Sequence, residues 1–202
     1  MPFYVLKLGG SLIHKAKALM MQIRHLEEKG FDFLIVPGGG PIADLIRDIS
    51  SDQRLSEEAS HWMAILAMEQ YGYLLADGCE AELTREISRI EGVKVLLPYQ
   101  AILKDDRGLE HSWDFTSDSV AALVAQRLGT DMIKATDVEG IKLNGNIVRK
   151  IRAGDLLGKK TCLDQGSLKL LQGRRCWILN GTDPERFAYM ILSGEGGTVI
   201  TG

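Results

Sequence analysis

Short apolar runs alternate along this 202-residue chain with longer segments whose apolar residues recur every three or four positions. The first run, Phe3–Leu8, ends in Gly9-Gly10-Ser11. In the next segment Leu19, Met20, Ile23 and Leu26 share one helical face, and Gly30 is placed to stop the helix. A second run over 31–36 closes on Pro37 and three glycines. Pro41 then opens a helix carrying Ile42, Leu45, Ile46 and Ile49, a start that needs no N–H partner. The same pattern predicts helices over 57–75, 80–90, 117–128, 164–171 and 184–192. Strands are expected over 93–97, 132–135, 177–179 and 198–200, a surface loop over 105–111, and a hairpin over 141–151 around Asn144-Gly145. Strand–helix alternation of this kind predicts an α/β fold: a three-layer αβα sandwich with a mostly parallel central sheet. Residues 1–202 form one domain in this reading. Ligands should bind beyond the carboxyl ends of the strands, where the glycine loops fall.

Composition narrows the function classes. A net charge of −3 supplies no global field for nucleic acid or an anionic membrane, so an anionic ligand needs a local site. Cys79, Cys162 and Cys176 form no CxxC pair and suit a reduced chain. With no leader-like segment or apolar span, the expected location is the cytoplasm. His14, His25, His61 and His111 have no metal-ligand spacing, so no protein-held metal is expected.

Two glycine loops, Gly9-Gly10 and Gly38-Gly39-Gly40, each follow a strand and precede a helix. Glycine lets a backbone approach a ligand without a Cβ in the way, and the helix N-terminus adds partial positive charge. Lys7 sits inside an apolar strand, where a charge is costly unless it has a partner. A flexible point charge there suits a phosphoryl group in transit. No GxxxxGK[ST] element exists, because Gly154 to Gly158-Lys159 is one residue too short. Gly38, Gly40 and Ala43 match GxGxxA, but the acidic residue of a dinucleotide fold has no strand to end. Asp118 reads either as a first-turn carboxylate or as an acceptor that aligns lysines. Thr136-Asp137-Val138-Glu139-Gly140 reads as a turn at the same rim.

These motifs, in order, resemble the amino-acid-kinase family, which includes acetylglutamate, aspartate, glutamate, uridylate and isopentenyl phosphate kinases. The resemblance spans nearly the whole chain: KLGGS at 7–11, VPGGGP at 36–41, SDSVAA at 117–122, ATDVEG at 135–140 and GEGGTVI at 194–200. It implies an amino-acid-kinase-like fold and ATP-dependent phosphoryl transfer, with Mg²⁺ arriving on ATP and at least a homodimer. It also implies roles. Lys7 contacts the transferring group and Asp118 orients the catalytic lysines. Gly9, Gly10 and Ser11 hold ATP phosphates, and Thr136, Asp137, Val138 and Gly140 border the nucleotide. Gly38, Gly39, Gly40 and Ser117 face the acceptor. Lys169, three residues after Gly166, departs from the family's spacing for a second catalytic lysine and reads equally as a solvated helix residue. A narrower resemblance, in 111–119 and 61–73, is to members that phosphorylate an aminomethylfuran phosphate in methanofuran-type coenzyme biosynthesis. It makes Trp62 and Trp113 candidates to pack on a flat ring, and Asp44 and Asp114 candidates to pair with an amine. Other acceptors, and a non-catalytic nucleotide- or oxyanion-binding relative, are the alternatives.

Overall fold

The computed structural model describes residues 1–202. Its strands are β1 (Phe3–Leu8), β2 (Asp32–Pro37), β3 (Glu82–Thr84), β4 (Val93–Leu96), β5 (Met132–Thr136), β6 (Lys142–Leu143), β7 (Asn146–Ile147), β8 (Lys150–Arg152), β9 (Arg175–Asn180) and β10 (Thr198–Thr201). Eight of them form one sheet in the order β3-β4-β2-β1-β5-β9-β10-β8. Every neighbouring pair is parallel except β9 and β10. The helices are α1 (Ala16–Glu28), α2 (Gly40–Gln53), α3 (Glu57–Ala76), α4 (Pro98–Lys104), α5 (Ser117–Leu128), α6 (Gln165–Leu170) and α7 (Pro184–Ser193). A 3-10 turn over Gly10–Lys15 leads into α1.

Pleating divides the apolar strand residues between two cores. Leu6, Leu8, Ile35 and Ile133 join α1 and α7 on one face. Val5, Val36, Met132 and Ile178 join α5 and α6 on the other. Helix α3 serves both, through Ile65 and Met68 on one side and Tyr71 and Leu75 on the other. These layers form the αβα sandwich that the pattern predicts. No helix is long and apolar enough to cross a membrane. β6 and β7 make the expected hairpin, with Asn144 and Gly145 both at positive φ (51° and 83°).

Two segments differ from the sequence reading. The helix predicted over 80–90 does not form. Glu80 turns into the left-handed region (φ 56°), and β3 follows as the parallel edge strand beside β4. Glu82 pairs in register with Lys94, their side chains 2.6 Å apart, and Leu97 N–H donates to the Thr84 carbonyl at 2.7 Å. Those pairings override the segment's weak local preference for helix. The reading also leaves 98–104 unassigned, where α4 starts with Pro98 in its first turn.

Candidate active site

The central three strands, β2-β1-β5, end at one rim, followed by the two glycine loops and the turn 137–140. The loops pack directly on each other. A Cβ on Gly10 would collide with the Gly40 backbone, one on Gly38 would lie 2.6 Å from Gly10 N, and one on Gly9 would lie 2.8 Å from the Ala135 carbonyl. Backbone crossing, rather than ligand approach, therefore requires glycine at these positions. Gly9 N–H donates to the Ala135 carbonyl (2.9 Å) and Gly38 N–H to the Leu8 carbonyl (2.8 Å), so neither is free for a phosphate. Gly10 and Ser11 open the 3-10 turn, and their N–H groups precede its first hydrogen bond, from Leu12 N–H to the Gly9 carbonyl.

Lys7 and Lys134 are register partners on β1 and β5, so pleating sends both side chains to the α5 face. Asp118, in the first turn of α5, meets both there. Its Oδ1 lies 2.8 Å from Lys7 Nζ, and its Oδ2 accepts from Lys134 Nζ at 2.6 Å. The Lys134 ammonium also donates to the Cys162 carbonyl. All three side chains are buried. Burial raises the Asp118 carboxyl, but the Lys134 and Lys7 ammonium groups outweigh it and hold the carboxyl at about 2. Burial, reinforced by Lys134, pulls the Lys7 ammonium below its ordinary value. Burial acts the same way on Lys134, where Asp118 overcomes it and the net shift is upward. Two ammonium groups against one carboxylate leave a buried excess of one positive charge. An anion beside the trio would offset that excess.

The trio lies between two openings. Lys7 lines a cavity of about 230 Å³, walled also by Gly39, Gly40, Arg47, His61 and Trp113. Cys162 lines a cleft of about 400 Å³ with Asp137, Val138, Gly140, Lys142 and Lys160. Gly140 (φ 148°) packs against Thr198, and Glu139 is tied to Asn180 and Arg186 at 2.8 Å, which fixes the turn at the mouth of this cleft. Thr136 is buried at the end of β5. No cluster of three or more His, Cys, Asp or Glu side chains is placed to hold a metal ion.

The remaining predicted site residues divide. Gly10, Ser11, Gly39, Gly40, Asp44, Trp113 and Ser117 line the first cavity. Asp44 is not free for an amine, because it accepts from Arg47 at 2.8 Å. The Arg47 guanidinium in turn sits 4.6 Å over the Trp113 ring. Trp62 is outside the cavity lining; its indole N–H donates to Glu58 (2.6 Å) and its ring packs edge-on to Tyr99 and His111. Asp114 is also outside, with its carbonyl accepting from Gly166 N–H. Lys169 is exposed, 3.9 Å from Glu110 and over the Phe115 ring, away from the trio. The position missed is Lys134, although a lysine inside an apolar strand is the signal that singled out Lys7. Asp164 was missed too. Its carboxylate accepts from the N–H groups of Thr116 (2.8 Å), Ser119 (3.1 Å) and Ser167 (2.7 Å), and so caps α5 and α6 together.

A mostly parallel αβα sandwich with a buried lysine–aspartate–lysine trio between two openings describes an α/β protein suited to an anionic ligand. Comparison with known proteins makes the class specific. A sequence profile of the amino acid kinase family matches residues 2–86. The chain is 33% identical, over 95% of its length and 94% of the relative's, to the [5-(aminomethyl)furan-3-yl]methyl phosphate kinase of Methanocaldococcus jannaschii. This chain therefore belongs to the amino acid kinase family and is a phosphotransferase. In fold it is similar to the uridylate kinase of Archaeoglobus fulgidus (TM-score 0.72, 20% identity, all of both chains). It is likewise similar to the UMP kinase of Ureaplasma parvum (TM-score 0.77, 16% identity, 100% of this chain and 99% of that one).

Proposed function

We propose that this kinase transfers the γ-phosphoryl group of ATP to a small phosphomonoester, [5-(aminomethyl)furan-3-yl]methyl phosphate, giving a diphosphate for methanofuran-type coenzyme biosynthesis. The observation that carries the reading is the buried Lys7–Asp118–Lys134 trio between two openings, with one positive charge in excess. The cavity beside Lys7 takes the acceptor, and the cleft beside Cys162 takes the nucleotide. Lys142 and Lys160 in that cleft suit a polyphosphate.

An oxygen of the acceptor's phosphate forms the new bond to Pγ as the bond from Pγ to the β,γ-bridging oxygen breaks, and ADP leaves with that electron pair. A phosphate oxygen is already anionic, so no general base is needed. Catalysis is positioning and charge stabilisation. Lys7 meets the charge on the transferring group. Asp118 holds both ammonium groups in place. The N–H groups at the start of α2 and the Arg47 guanidinium suit the acceptor's own phosphate. Mg²⁺ accompanies ATP and neutralises phosphate charge when bound.

The identity of the relative favours the furan acceptor. The ring of Trp113 on the cavity wall, backed by Arg47, offers a flat surface for it. The functional unit in this reading is a homodimer, supported by apolar side chains that α3 leaves exposed. A coupled ADP-release assay should compare the furan phosphate, UMP, isopentenyl phosphate, acetylglutamate, glutamate and aspartate. The furan phosphate should show the highest kcat/KM. Preference for a carboxylate overturns the phosphomonoester acceptor, and preference for UMP keeps the reaction type but removes the furan.

A further inference from the structure

The cavity beside Lys7 has a second electrostatic character on its α3 wall. Glu57, Ser60, His61 and Ala64 line it at helical spacing. On the α2 side of the cavity, Asp44 is paired with Arg47. Glu57 is different: it lines the cavity and has neither an ion pair nor a hydrogen bond to another side chain, leaving a carboxylate without a cation.

Behind the wall stands His111, whose Nδ1 faces Glu58 and whose Nε2 lies 3.2 Å from Asp106. Two carboxylates thus flank one imidazole. Even with His111 doubly protonated, the group keeps one negative charge in excess. The His61 ring stacks on His111, with centroids 3.9 Å apart and planes 12° apart. His61 is only 7% exposed, lines the cavity, and has a buried Nε2 with no hydrogen-bond partner. An orphaned buried nitrogen is costly unless a ligand satisfies it. Burial and the neighbouring His111 push His61 down to about 4, so it is neutral at physiological pH and keeps an acceptor lone pair.

We infer that Glu57 and His61 form a subsite for a cationic nitrogen, an alkylammonium group, on the acceptor. Glu57 supplies the counter-charge and His61 a neutral nitrogen that accepts a hydrogen bond from it. One cavity then matches a zwitterionic acceptor, with Lys7 and the start of α2 for the phosphate and negative charge on the α3 wall for the amine. This inference rests on the reading of the cavity as the acceptor site. It replaces Asp44 and Asp114 as amine partners, since one is already paired and the other lies outside.

The test is isothermal titration calorimetry with two probes, [5-(aminomethyl)furan-3-yl]methyl phosphate and the same compound with a hydroxymethyl group in place of the aminomethyl. Wild-type protein should bind the amine at least about tenfold more tightly, the scale of one charge-assisted hydrogen bond. Glu57→Gln, a change on an exposed side chain, should remove most of that preference and leave the hydroxymethyl compound bound as before. His61→Phe keeps a stacking ring but no nitrogen, and should weaken the amine alone. Thermal melts of both variants establish that they are folded. Equal binding of the two probes by the wild type overturns the subsite alone, as does an equal loss for both probes in Glu57→Gln. Binding of neither probe overturns the subsite together with the acceptor reading beneath it.

Discussion

Three buried charges carry the site, and they are not equivalent. Asp118 is the carboxylate in contact with both ammonium groups, so Asp118→Asn strands both. Breaking a buried pair from one side typically costs about 3–5 kcal/mol. Lys134→Met instead leaves the Lys7–Asp118 pair neutral, and so should cost less stability than Asp118→Asn while removing charge from the site. Chemical denaturation of the two variants checks this order, and equal losses contradict it. Catalytically, Lys7→Ala should lower kcat by roughly 10²–10³ with little change in ATP affinity, as expected for a preorganised donor. Retention of more than about half the wild-type kcat removes Lys7 from the mechanism. Lys169→Ala should stay within about twofold of wild type, since its ammonium is solvated. Asp118 also sets an acid limit. Its carboxyl is held below the ordinary 3.8, at about 2, so its contribution is fully present above pH 4 and is lost as pH falls through 2. That contribution is on the order of 2 kcal/mol. Lys7 and Asp118 were legible because a charge in an apolar strand and a carboxylate in a first helical turn each demand a reason. Lys134 meets the first criterion as well. Only the register of β1 against β5 shows that the two lysines share one carboxylate.

At the scale of elements, the fold was legible wherever periodicity was strong and closed by a stop signal. Helix α5 begins and ends where the pattern predicts, with Gly129 at φ 64° as its left-handed cap. The segment after Gly78 is the exception: it has helical composition and Gly92 as a stop, but pairing with β4 decides it. The capping of α5 was not legible. Thr116 occupies the cap position but makes no side-chain capping bond, and the carboxylate comes from Asp164, 48 residues away. Because Asp118 sits in the turn that Asp164 fixes, the cap is linked to the site. Asp164→Ala removes acceptors from two helix starts at once and should cost about 1–3 kcal/mol, at the upper end for a cap. Its kcat should fall as Asp118 loses its fixed position, while Asp164→Asn, which keeps an acceptor oxygen, should recover part of both losses. A melting temperature unchanged by Asp164→Ala shows that other groups hold these helix ends.

For the whole molecule, α3 sets the remaining question. A surface helix normally keeps its apolar residues to one stripe, and a helix that is apolar all round is normally covered all round. Ile65, Met68, Tyr71 and Leu75 fill the two cores, yet Leu66, Tyr73 and Leu74 are 42%, 51% and 46% exposed. Leu66 and Tyr73 are seven residues apart and Leu74 is adjacent, so the three form one face rather than scattered positions. A second copy of the chain would cover this face isologously, helix against helix about a two-fold axis. Contact confined to these three side chains would fall short of the roughly 800 Å² per partner typical of a stable interface, so neighbouring surface must contribute. Light scattering coupled to size exclusion should give about twice the 22.3 kDa protomer mass for the wild type. In Leu66→Glu/Leu74→Glu each protomer would bring two carboxylates to the shared axis, where like charges face each other across apolar surface. That variant should elute as a monomer with an unchanged far-UV spectrum, because both side chains already face solvent within the protomer. A wild type that runs as a monomer at tens of micromolar, or a double variant that stays dimeric, removes α3 from the interface.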